Sequence, residues 1–99
     1  MKDDRLYVLT RRDLPPSVRT VQAVHAVAAL VSEFSIAFAE IPWVIVYGVA
    51  DEPELDRWRT RLNGKGCWTA FREPDLNEQL TAIAYWGPKA SGFGGLRLL

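Results

Sequence analysis

Read for the alternation of apolar and polar residues, the chain divides into strand-like and helix-like stretches. Leu6–Thr10 is a short apolar and β-branched run stopped by Arg11, Arg12 and Asp13, and it predicts a strand. Leu14, Pro15 and Pro16 follow as a rigid connection. Ser17 stands where a helix cap belongs, because its hydroxyl can accept from a free N–H of the first turn. The helix is expected to run to about Phe34. At about 100° per residue, Val21, Ala23, Val24, Val27, Ala28, Leu30, Val31 and Phe34 gather on one broad half. Arg19, Gln22, His25, Ser32 and Glu33 fall on the other half, which is therefore read as the wet side.

Trp43–Val49 is apolar nearly throughout, the pattern of a central strand covered on both faces. Asp51, Glu52, Pro53 and Glu54 then resemble a capping box, and Leu55, Trp58 and Leu62 recur at helical spacing. Arg57, Arg59, Arg61 and Gly64 suit the exit of that helix. Cys67–Phe71 and Thr81–Trp86 predict two more strands, and the stretch Arg72–Leu80 between them is short enough for an antiparallel pair. The tail Ala90–Leu99 is ambiguous. The order is β-α-β-α-β-β. Right-handed crossovers make the first three strands parallel and the fourth reversed. The expected fold is α/β: one domain over residues 1–99, three layers α/β/α, with a small mixed sheet of about four strands.

Composition adds limits on function. Twelve basic and twelve acidic residues cancel, so no whole-molecule field draws the protein to nucleic acid or an anionic membrane. A nucleic-acid contact needs a local patch, and Lys2, Arg5, Arg11, Arg12 and Arg19 outnumber Asp3, Asp4 and Asp13 in the first nineteen residues. Cys67 is the sole cysteine, which rules out an internal disulfide and fits a reducing cytosol. The N-terminus is charged too soon for a signal peptide or an anchor, so a cytoplasmic protein with no membrane partner is expected.

In a sheet of this kind ligands gather beyond the carboxyl ends of the parallel strands. Two loops reach that edge. Arg11–Ser17 opens a helix whose free N–H groups suit a phosphate, with Arg11, Arg12 and Arg19 nearby. Glu73–Glu78 is rich in carboxylates, among them Asp75, which after Pro74 also reads as an ordinary turn residue. His25 is of the residue type that serves as a base or proton shuttle, yet lies about 12 Å along the helix from Ser17, which makes it an organiser rather than a reacting group. Thr81 is a favourable strand residue whose hydroxyl can orient water. Zinc-ligand spacing and a Gly-x-x-x-x-Gly-Lys loop are both lacking.

Taken in order, Tyr7-Val-Leu-Thr-Arg-Arg-Asp-Leu14, Val21-Gln-Ala-Val-His-Ala26, Phe71-Arg-Glu-Pro-Asp75, Thr81-Ala-Ile-Ala84 and Leu96-Arg-Leu-Leu99 resemble the type II peptidyl-tRNA hydrolase family over nearly the whole chain. The resemblance implies hydrolysis of the ester joining a stalled peptide to the 3′ end of its tRNA. It implies tRNA as partner, a homodimer, and no metal or organic cofactor. Asp75 and Thr81 would position or activate the attacking water, with His25 in support. Arg11, Arg12, Asp13, Arg19 and Gln22 would hold the substrate. The chain departs from the family pattern where Val18 stands at the position of a lysine, with Arg19 beside it, and where the stretch from Asp75 to Thr81 is short and lacks a second threonine. The rival reading is a non-catalytic RNA-binding or dimerising module on the same scaffold.

Overall fold

A computed structural model describes residues 4–37, 43–88 and 92–99. Lys2 and Asp3 of the basic N-terminal stretch, and Ala90 and Ser91 of the tail, lie outside the described residues. The elements are β1 (Arg5–Arg11), α1 (Pro16–Phe34), β2 (Val44–Val49), α2 (Glu52–Leu62), β3 (Cys67–Glu73), β4 (Gln79–Gly87) and β5 (Arg97–Leu98). The five strands form one mixed sheet in the order β3-β4-β1-β2-β5. β1 pairs parallel with β2 and antiparallel with β4, β4 pairs antiparallel with β3, and β2 with β5.

The first three strands share one direction and the fourth is reversed, as the crossover rule requires. Their neighbours differ from the simplest expectation. β4 separates β1 from β3, because the tight turn at residues 74–78 returns the chain directly beside β3. Leu80–Tyr85 are all buried, so both flanks of β4 are used. The tail supplies a fifth, edge strand. Leu99 extends it by donating its N–H to the Val46 carbonyl at 3.0 Å.

Alternate residues of the inner strands feed two cores. Leu6, Val8, Ala82 and Ala84 meet Ala26 and Leu30 of α1 on one face. Tyr7, Leu9, Ile83 and Tyr85 meet Leu55, Trp58 and Leu62 of α2 on the other. Phe93, carried by a short 3-10 turn at Phe93–Gly95, enters this second core with its ring 4.9 Å from Tyr7 and 5.0 Å from Trp58. The chain is therefore an α/β protein with a helix on each side of the sheet.

Two helix starts contrast. α2 is capped as its sequence predicts, with Asp51 Oδ1 accepting the Glu54 N–H at 3.1 Å and Glu54 Oε1 accepting the Ala50 N–H at 3.3 Å. α1 begins one residue before Ser17 and has no side-chain cap. Pro16 starts it instead, its φ already fixed at a helical value.

α1 is also turned about its axis from the expected orientation. Gln22 is only 2% exposed while Val24 is 62% exposed. Leu30 is buried against the sheet, and beside it the small Ala23 and Ala26 pack with Ala82 and Ala84, so close approach and not side-chain size alone selects the inward face. α1 lies over β1, β3 and β4 and only partly covers the same face of β2, where Val46 is half-buried. Val44 is consequently 57% exposed, and Trp43 precedes the strand on the surface, where full cover was expected. No helix of the described residues is long and apolar enough to cross a membrane.

Candidate functional site

The C-terminal end of β3, the 3-10 turn Pro74–Leu76 and the first turns of α1 enclose an open cavity of about 310 Å³. Gln22, Glu73, Asp75, Val18 and Val21 contribute to its lining. Burying an amide demands partners, and Gln22 has them on both sides. Thr81 Oγ1 donates to Gln22 Oε1 at 2.7 Å, and Gln22 Nε2 donates to Glu73 Oε1 at 3.2 Å. With a hydroxyl on its oxygen, the amide can point only its NH₂ at the carboxylate. Thr81 is tied to β1 in turn, its carbonyl accepting from Thr10 Oγ1 at 3.1 Å.

This arrangement alters the expected roles. Thr81 is fully buried within β4, which opens at Gln79, and its hydroxyl proton is given to Gln22. Asp75 lines the cavity from an exposed position, and its carboxylate has no hydrogen-bond partner among the described residues. His25 lies outside it, exposed on α1 with its ring stacked on Phe71 at 4.8 Å and 5°. Glu73 is the residue that the sequence pattern passes over. Its position at the end of a strand, immediately before Pro74, was the available signal, since that end of the sheet is where ligands gather.

The arginines expected to hold phosphate bind the chain itself. Arg11, 7% exposed, grips Asp13 with Nε and Nη2 at 2.9 and 2.8 Å and gives Nη1 to Gln79 Oε1 at 2.9 Å and the Leu80 carbonyl at 3.1 Å. These hydrogen bonds, more than charge alone, hold the Asp13 carboxyl below its usual range and raise the guanidinium further, against the opposing effect of burial. Arg19 closes the loop before α1 by donating to the carbonyls of Leu14 and Arg12, both at 2.6 Å. Arg12 reaches across β2 to the carbonyls of Arg97 and Leu98. Gly48 makes that crossing possible, since a Cβ there would lie 2.5 Å from the Arg12 Nε.

Among the described residues no group of three or more His, Cys, Asp or Glu is placed to hold a metal ion. No family model matches the sequence, and no curated protein matches it. Among solved structures it is similar to a protein of unknown function, Atu0240 of Agrobacterium tumefaciens strain C58, with a TM-score of 0.74 and 13% identity over 100% of this chain and 99% of that one. At that identity the likeness establishes a shared fold alone.

Proposed function

We propose that the cavity between α1 and the β3–β4 turn hydrolyses an acyl ester on the 3′ end of tRNA, in the manner of the type II peptidyl-tRNA hydrolases that the sequence resembles. The observation that carries this reading is the chain Thr81–Gln22–Glu73, which aims one oxygen of a carboxylate by a buried amide and leaves the other for the cavity. Glu73 then takes a proton from water as the hydroxide adds to the acyl carbon. The bond from that carbon to the ribose oxygen breaks, and the ribose oxygen receives the proton, giving a free 3′ hydroxyl and a carboxylic acid. Ser17 and Val18, at the uncapped start of α1, line the same cavity. N–H groups of a first helical turn have no partner within the helix and suit a developing oxyanion. On this reading the protein works in the cytoplasm, and two copies associate.

The test is release of tRNA from an N-blocked aminoacyl-tRNA by the wild type, Glu73→Gln and Asp75→Asn. Glu73→Gln should slow release by about 100-fold or more, the usual loss of a general base. Asp75→Asn, which disturbs no side-chain hydrogen bond among the described residues, should lose far less. A wild-type rate equal to that of buffer, or a Glu73→Gln rate equal to wild type, would sink the proposal. The second reading is a non-catalytic binding module on the same scaffold; the internal engagement of Arg11, Arg12 and Arg19 means that on either reading tRNA phosphates are met by other groups. Salt-dependent tRNA binding without cleavage selects the module.

A further inference from the structure

We infer that the outer face of α2 holds a second binding site, suited to the dianionic phosphate of a phosphomonoester. It lies on the opposite side of the sheet from the Glu73 cavity and does not depend on the hydrolase reading. An open cavity of about 410 Å³ lies between α2 and the turn carrying Phe93, lined by Arg57, Arg61, Trp58, Glu54, Gly92 and Gly95 among others.

Three features set this cavity apart. Arg57 and Arg61 are four residues apart on a helix and so share a face. Among the described residues neither guanidinium has a hydrogen bond or an ion pair, whereas Arg59, between them, is bound to Asp56 at 2.8 Å. Arg61 is nevertheless positioned, its guanidinium carbon 4.9 Å from the centre of the Trp58 ring. Stacking of that kind occupies the face of the guanidinium and leaves its N–H edge for a bidentate oxyanion.

The third feature is Gly95. Gly92 has to be glycine, with φ at +98° and room for a Cβ limited by Trp58 at 3.3 Å. Gly95 lacks both reasons: its backbone is outside the left-handed region, and no atom lies within 4 Å of where its Cβ would stand. Gly94 has the same freedom away from the cavity, so glycine alone is no signal; in the lining shared with Arg57 and Arg61, Gly95 leaves bare backbone for close approach by a ligand. Glu54 is the opposing charge in the lining, but its Oε1 is engaged with the Ala50 N–H at the start of α2. Two cations against one anion favour an anionic occupant.

The experiment is calorimetric titration of the full chain with inorganic phosphate and with glycerol 3-phosphate, against chloride at matched ionic strength. One saturable site is expected. Arg57→Gln and Arg61→Gln should each weaken it about tenfold, the effect of losing one charge-assisted contact. Gly95→Ala should weaken it comparably with an unchanged melting temperature, because the methyl meets nothing in the free protein. Arg59→Gln should bind as wild type. Phosphate binding no stronger than chloride binding, or affinity unchanged in both Arg57→Gln and Arg61→Gln, would overturn the inference. So would equal affinity for a short RNA without a terminal phosphate, which would reassign the site to phosphodiesters.

Discussion

Asp13 is held by two nitrogens of Arg11, and this decides how the loop before α1 answers to acid. A carboxyl whose folded pKa is depressed adds stability above its unfolded value of about 3.9 and loses it as pH falls through the folded value. The urea midpoint should therefore drop as pH falls below about 4, and Asp13→Asn should flatten that part of the profile. The Asp13 side chain is partly exposed, so salt should reduce the difference. Gln22 teaches another lesson at this scale. The sequence marks it, beside His25, as a landmark on α1, but no periodicity could reveal that Thr81 and Glu73, distant along the chain, would satisfy its amide and allow it inside. His25, which shares the motif, remained outside on Phe71.

Among the elements, the β3–β4 turn carries most of the local strain. Asn77 and Glu78, which bring the chain from the 3-10 turn back into β4, are both left-handed, with φ of 54° and 60°, a conformation that Asn tolerates far better than Glu. The bonds made by Glu78 here are from its backbone: its N–H donates to the Glu73 carbonyl and its carbonyl accepts from Arg72. Glu78→Gly should keep both and raise stability by up to about 1 kcal/mol, read as a higher urea midpoint at unchanged slope. The order of elements was legible because strand and helix periods, the Asp51 cap and the prolines are local signals. The orientation of α1 was not, since counting large apolar residues favours the valines, whereas close packing on Ala82 and Ala84 favours Ala23 and Ala26.

At the scale of the whole molecule, sheet order depends on which distant strands find each other, and that is absent from any local pattern. The insertion of β4 beside β1 and the use of the tail as β5 are both of this kind. Beyond Phe93 and Leu96, which pack on the second core, the last residues of the tail are held by few contacts: two residues of pairing with β2, the Leu99 N–H and the Arg12 guanidinium. Arg12→Ala should speed amide exchange at Leu99 about fivefold, as expected for roughly 1 kcal/mol of hydrogen bonding, while the amides of Tyr7 and Leu9 keep their protection. Gly48→Ala should act the same way by pushing Arg12 aside. The crossing of Arg12 over Gly48 thus guards against self-association. Once the tail lets go, the outer edge of β2 is a row of unpaired amides and carbonyls flanked by Val44 and Trp43, a template on which further copies would aggregate.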